Sequence, residues 1–206
     1  MNKTSKRIEL AAIFGSPRRK GNTSILLRQA VEGAREAGAN VTEIVLRDLK
    51  MSPCLEIYGC KKQGRCVIKD DYGEIEALLQ RIDGLMLASP IFFYTVSAHT
   101  KILMDRCNSL WVKKYWIDKM PFGQKNYPRK GLFISAGSTK GKRLFEGAIL
   151  SVKYFMDALD MELWQSLVYR GIEGEGQIRD FPDALQEAYD AGNALVGSLS
   201  DDAPRS

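Results

Sequence analysis

A chain of 206 residues with 45% hydrophobic and 27% charged residues has a globular composition and is long enough to bury a core without covalent staples. Four cysteines in that length argue against a secreted disulfide framework, and no apolar run is long enough to cross a bilayer, so a cytoplasmic protein that neither enters a membrane nor carries a signal peptide is expected. The net charge of +5 is spread along the chain, apart from a knot at Arg18, Arg19 and Lys20; it reads as a solvated basic surface, with no nucleic-acid partner.

Taken in order, the elements alternate. Ile8–Gly15 is a continuous apolar run ending in glycine, the pattern of a strand covered on both faces. A helix follows over about Thr23–Ala37 and stops at Gly38. Asn40–Leu46 alternates like a half-buried strand. After a loop, Asp71–Ile82 is helical, with acids near its start and Arg81 near its end. Gly84–Pro90 is a third strand and Ala98–Trp111 a third helix. A polar loop spans Lys113 to Arg129. Lys130–Gly137 is the fourth strand, Lys142–Leu159 the fourth helix and Glu162–Tyr169 the fifth strand. A glycine-rich loop, Gly171–Gln177, leads to a last helix over Pro182–Leu199, with proline in its first turn. Residues 1–6 and 200–206 read as flexible tails on one domain spanning 1–206. Five strands alternating with five helices imply a parallel sheet with helices on both faces, which binds its ligand at the carboxyl ends of its strands.

Two of those loops carry chemistry. Gly15–Ser24, GSPRRKGNTS, has neither the lysine-threonine ending of a Walker loop nor the three-glycine spacing of a dinucleotide fingerprint. It has hydroxyls at Ser16, Thr23 and Ser24, the Asn22 amide, and free N–H groups at a helix start, where a phosphate is favoured. Asn, Thr and Ser also make ordinary caps, so a plain capped helix is the other reading. Ser89–Lys101, SPIFFYTVSAHTK, sets Ile91, Phe92, Phe93, Tyr94 and Val96 at a strand end that ought to be solvated. A flat ring, a second subunit or the next helix would cover them.

The pair of loops resembles the NAD(P)H-dependent FMN reductase branch of the flavodoxin-like superfamily. Gly-Ser-Pro-Arg followed by Gly-Asn-Thr matches its phosphate loop. Pro-Ile-Phe-Phe, then Ala98, Lys101, Asp105 and Arg106, matches its second loop. The resemblance runs from Ile8 to about Leu199. It implies an α/β, flavodoxin-like, doubly wound five-stranded parallel sheet of order 2-1-3-4-5 and FMN held without a covalent bond. By the same resemblance Ser16, Arg18, Asn22, Thr23 and Ser24 hold the phosphate. Pro90, Ile91, Phe92 and Phe93 line the ring system, and Ser135, Ala136 and Gly137 border its far edge. NADH or NADPH is the implied donor and a small quinone or nitro compound the implied acceptor; no side chain is assigned a catalytic role. A flavodoxin-type carrier is the alternative, and such carriers are generally acidic while this chain is basic.

Pro53–Asp71, PCLEIYGCKKQGRCVIKDD, holds Cys54, Cys60 and Cys66. It resembles the narrower group of iron–sulfur flavoproteins, whose run of four cysteines precedes the same Asp-Asp. Cys54, Cys60 and Cys66 match the first, third and fourth; Ile57 stands at the second. Iron–sulfur clusters are generally held by four thiolates, so a stable cluster is not expected here, with a three-thiolate cluster on Cys54, Cys60 and Cys66 as the alternative. Cys107 is expected to be buried core, and His99 structural. Asp70 and Asp71 read as helix-start acids. The aromatics from Phe92 to Tyr94, with Trp111 and Trp116, exceed what one flavin covers, so a homodimer or homotetramer is expected. Tyr115, Lys113 and Lys114 complete a cluster read as a lid or dimer contact.

Overall fold

The computed structural model describes residues 7–122 and 129–201. Its strands are β1 (Glu9–Phe14), β2 (Asn40–Val45), β3 (Gly84–Ala88), β4 (Arg129–Gly137) and β5 (Met161–Arg170), all parallel, in the order β2-β1-β3-β4-β5. The expected sheet and its order hold. The helices are α1 (Asn22–Glu36), α2 (Cys60–Gln63), α3 (Tyr72–Leu79), α4 (Ala98–Arg106), α5 (Asn108–Val112), α6 (Glu146–Ala158) and α7 (Pro182–Asp201).

Alternation along the strands explains why β1 from Leu10 onward and all of β3 are apolar. Leu10, Ala12 and Phe14 of β1, with Met86 and Ala88 of β3, face a core built from α1 and α7. Ala11 and Ile13, with Leu85 and Leu87, face a second core under α3 to α6. A strand covered on both sides has no position for a polar residue.

Helices α1 and α7 cross at two glycines. A Cβ on Gly33 would lie 2.1 Å from the Tyr189 carbonyl oxygen, and one on Gly192 would lie 1.9 Å from that of Ala30. Backbone meets backbone, so no side chain can yield. Gly192→Ala is expected to cost about 1–3 kcal/mol through overpacking, read as a lower urea midpoint with an unchanged slope; an unchanged midpoint contradicts this crossing.

Several boundaries differ from the sequence reading. The third helix breaks at Cys107 into α4 and α5. The polar loop from Lys113 begins as a wide, π-type turn over Lys113–Ile117; its residues 123–128 lie outside the described residues. The first residues expected to be tail also lie outside, and α7 runs on through Ser200 to Asp201. The cysteine loop contains the short helix α2, ended by Gly64 at φ 66°. Among the described residues no helix is long and apolar enough to cross a membrane.

Candidate functional site

The chain order reverses between β1 and β3, and there the connections diverge to opposite faces and open a crevice. Four connections meet in it: β1 to α1, β3 to α4, β4 to α6 and β5 to α7. The cleft holds about 200 Å³ and is lined by Ser16, Arg18, Gly21 and Thr23 on one side, and by Pro90, Ile91 and Phe92 on another. Ala136 and Gly137 close a third side, and Ile172 and Glu173 a fourth.

Hydrogen bonds set each wall. Ser97 caps α4, accepting from the Thr100 N–H at 3.3 Å, and its hydroxyl donates to the Gly15 carbonyl at 2.5 Å. Thus one serine ties the loop after β3 to the end of β1. The Ser135 hydroxyl donates to the Ser89 carbonyl at 2.7 Å, joining β4 to the same place. Ser135 is fully buried and does not line the cleft. Ile91 N–H reaches the Ala136 carbonyl at 3.4 Å.

The N-terminus of α1 opens into the cleft. Its N-cap is Gly21, which offers no capping side chain, and its first turn has no acid. The N–H groups of Asn22, Thr23 and Ser24 have no partner within the helix. The Thr23 hydroxyl is buried and has no hydrogen-bond partner. A buried hydroxyl left unpaired costs about 1–3 kcal/mol, so an orphan at a positive helix end marks a place built to receive an acceptor. Gly21 keeps that place open, since a Cβ there would meet Ser16 Oγ at 2.8 Å.

Not every side chain of the expected set is free to meet a ligand in the cleft. Asn22 uses its side chain elsewhere: Nδ2 donates to the Gly174 carbonyl at 2.8 Å and Oδ1 accepts from the Ile178 N–H at 3.1 Å. It latches the glycine-rich loop after β5 and offers only its backbone to a ligand. Ser24 donates to the Arg18 carbonyl at 3.2 Å, curling the loop, and lies outside the lining. Phe93 projects away: its residue is 98% exposed. It sits with Tyr94 at the tip of a tight turn closed by hydrogen bonds between Phe92 and Thr95, with φ of 49° and 62° at the two aromatics. Left-handed backbone costs a non-glycine residue about 1–2 kcal/mol. Ile172 and Glu173 carry no local motif; only their place after β5 pointed to them.

The cysteine loop lies on the other face, against α4 and α5. It reaches Cys107, at the junction of α4 and α5. Cys107 is buried, as expected. Burial pushes its thiol up to about 12, and the charges of Glu76 and Cys66 add to that. Cys54, Cys60 and Cys66 are half-buried thiols, and among the described residues no three Cys, His, Asp or Glu side chains gather as a metal site. Cys54 and Cys107 border a groove of about 650 Å³ between α4, α5 and α6, with Met104, Trp111 and Phe155. This groove is larger than the cleft, but Glu56 and Asp105 line it and no long helix starts there. The cleft is the better anion site.

The helix-start acids do more than cap. The Asp70 carboxylate accepts the Tyr72 N–H at 3.1 Å, and it also pairs with Arg106. His99 is half-buried near the start of α4. Lys114 is buried against Asp160 at 2.9 Å, so the Trp–Lys cluster is partly structural.

The comparisons agree with this architecture. An iron-sulfur flavoprotein of Methanocaldococcus jannaschii is 41% identical over 103 residues, covering 50% of this chain and 53% of the relative. One of Archaeoglobus fulgidus is 37% identical over 106 residues, covering 52% and 54%. The matches thus span about half the length of these relatives. The solved NAD(P)H:quinone oxidoreductase of Methanothermobacter marburgensis superposes with a TM-score of 0.66 at 17% identity, over 92% of this chain and 96% of that one, and shows the same fold. Residues 8–162, which hold the loop from β1 to α1, the aromatic loop and four of the five strands, match the family described as NADPH-dependent FMN reductase, and the chain belongs to that family.

Proposed function

We propose that the chain is a single-domain, FMN-dependent oxidoreductase that passes reducing equivalents from NADH or NADPH to a small acceptor such as a quinone or nitro compound. The carrying observation is the orphaned Thr23 hydroxyl at an uncapped, acid-free helix start. That end fits one terminal phosphate: free N–H groups and a helix dipole favour it. The Thr23 hydroxyl donates to it, and Arg18, exposed at the rim, adds charge. Pro90, Ile91 and Phe92 on one wall, with Ala136 and Gly137 on another, present the apolar and backbone surface that a flat ring needs. Ile172, whose N–H donates to the Gly137 carbonyl at 3.1 Å, helps exclude water from the phosphate side.

Bound FMN supplies hydride and electron transfer. The chain's residues bind and orient it, and none is required as acid or base. Phe93 and Tyr94 beside the cleft, and Trp116 next to the cysteine loop, leave exposed apolar surface for a second copy, which supports a homodimer or homotetramer.

The test is to reconstitute the protein with FMN and supply NADH or NADPH with a quinone under argon. FMN-dependent oxidation of either nucleotide is expected, from a particle that sediments as a dimer or tetramer. No FMN retained at micromolar concentration ends the flavin reading; a monomer ends the assembly reading. A second reading, an iron–sulfur electron carrier, is favoured by the names of the curated relatives.

A further inference from the structure

We propose that the cysteine loop of this chain is a metal-free element locked by a buried arginine, and that Cys54, Cys60 and Cys66 stay thiols, leaving the chain without a second redox centre.

A metal cluster would hold such a loop by drawing its two ends and its tip to one point. Here a guanidinium does so. The Arg106 side chain on α4 is fully buried. Its Nη1 donates to the Ser52 carbonyl at 3.0 Å, before the loop, and to Asp70 Oδ2 at 2.6 Å, after it. Nη2 donates to the Ile68 carbonyl at 3.3 Å and to Asp70 Oδ1 at 2.9 Å. The Ser52 N–H donates to the same carboxylate at 3.0 Å, and the Lys50 N–H to Asp71 at 2.6 Å. Both loop ends are therefore closed by protein groups alone.

The rest of the loop has its own anchors. Buried Glu76 of α3 accepts the Cys66 N–H at 3.2 Å and is itself bound by the Ser109 hydroxyl. The Lys61 ammonium sits between the Tyr58 ring, at 4.0 Å, and the Trp116 ring, at 4.4 Å. Gly59 lies so close to Val67 that a Cβ would approach it to 2.4 Å, which fixes the crossing of the two limbs.

The donor set does not fit a four-iron cluster. Clusters of this kind take four thiolates, and Ile57 occupies the position of one. It is 60% exposed and flanked by Glu56 and Tyr58 at φ 50° and 57°, so the backbone turns that side chain outward. Among the described residues the remaining sulfurs do not gather as a metal site: Cys54 faces the groove above α6, Cys60 opens α2, and Cys66 lies beside Arg106.

The experiment is anaerobic. The FMN-loaded protein is incubated with ferrous iron, sulfide and dithiothreitol, desalted, and assayed for total metals, acid-labile sulfide, thiols and FMN. Metal and sulfide far below one per chain are expected, with three thiols reactive in the native protein and a fourth, Cys107, only after denaturation. A variant with Cys54→Ser, Cys60→Ser and Cys66→Ser is expected to melt within about 2 °C of the parent, a sub-kilocalorie change. About four irons and four sulfides per chain, lost in Cys60→Ser, would overturn the proposal. So would one stoichiometric zinc, or a triple variant that unfolds in metal-free buffer. A dithionite titration of the FMN-loaded protein, expected to take two electrons per chain rather than three, rests on the flavin reading; the metal count does not. Absent FMN with absent metal therefore sinks the flavin reading and supports this one.

Discussion

Thr23→Val is expected to weaken FMN binding by roughly 10- to 100-fold, the loss of one charge-assisted hydrogen bond of about 1.5–3 kcal/mol. The change keeps the branched shape and removes only the hydroxyl. That hydroxyl has no partner in the flavin-free protein, so the fold loses nothing. Stability without flavin should be equal or slightly higher, because a buried orphan is removed. The pairing of weaker binding with unchanged stability separates a ligand-binding hydroxyl from a structural one. It is measured by flavin fluorescence quenching and by urea denaturation of the same preparations. Equal FMN affinity in parent and variant removes the phosphate from this helix end. Asn22→Ala, by contrast, is expected to act mainly by releasing the loop around Gly174, since its side chain is engaged there.

Asp70→Ala is expected to cost about 3–5 kcal/mol of stability, because it leaves a fully buried guanidinium without its counter-charge. Replacing both partners, Asp70→Leu with Arg106→Met, should recover much of that loss, since no charge is then stranded. The cycle of single and double variants in urea measures it. A loss for Asp70→Ala below 1 kcal/mol would mean that water reaches the pair and that the loop is not locked as described. The same pair sets an acid response. Burial alone would raise the Asp70 carboxyl; hydrogen bonds from Arg106, Ser52 and Tyr72, with the Arg106 charge, outweigh it and hold the group at about 2 against its ordinary 3.8. A carboxyl lowered on folding stabilises fully above the unfolded value. Its contribution, on the order of 2 kcal/mol, is present above pH 3.8 and is lost as the pH falls toward 2. Asp70→Asn should flatten that part of the acid profile.

Much of the site was legible because its loops are continuous in sequence. Ser16, Arg18, Asn22 and Thr23 lie within one strand-to-helix connection, and Pro90, Ile91 and Phe92 within another. Once the alternation of elements placed both connections at strand ends, their meeting in one crevice followed from the order of a parallel sheet. Their division of labour was not legible. Ser24 and Phe93 belong to the same short stretches and Ser135 to β4 beside Ala136 and Gly137, yet two turn their hydroxyls onto backbone carbonyls and one projects into solvent. Neighbours in sequence point in different directions, and a motif does not record which.

What the sequence determined by itself was the sheet, the two-sided burial of its strands and the loops that reach its ligand face. Apolar periodicity reports directly which faces of an element leave water, and that information is local. What only the tertiary structure decided were pairings across distance. Asp70 meets Arg106 from 36 residues away, and Asn22 meets Gly174 from 152. Gly33 meets the α7 backbone, and Cys66 comes to lie near Cys107. Asp70 as a helix-start acid and Cys107 as a buried thiol were sound local readings. Their partners were chosen by packing, because a buried charge or an orphan N–H takes whichever group the folded chain brings within hydrogen-bond reach, and no local pattern encodes that group.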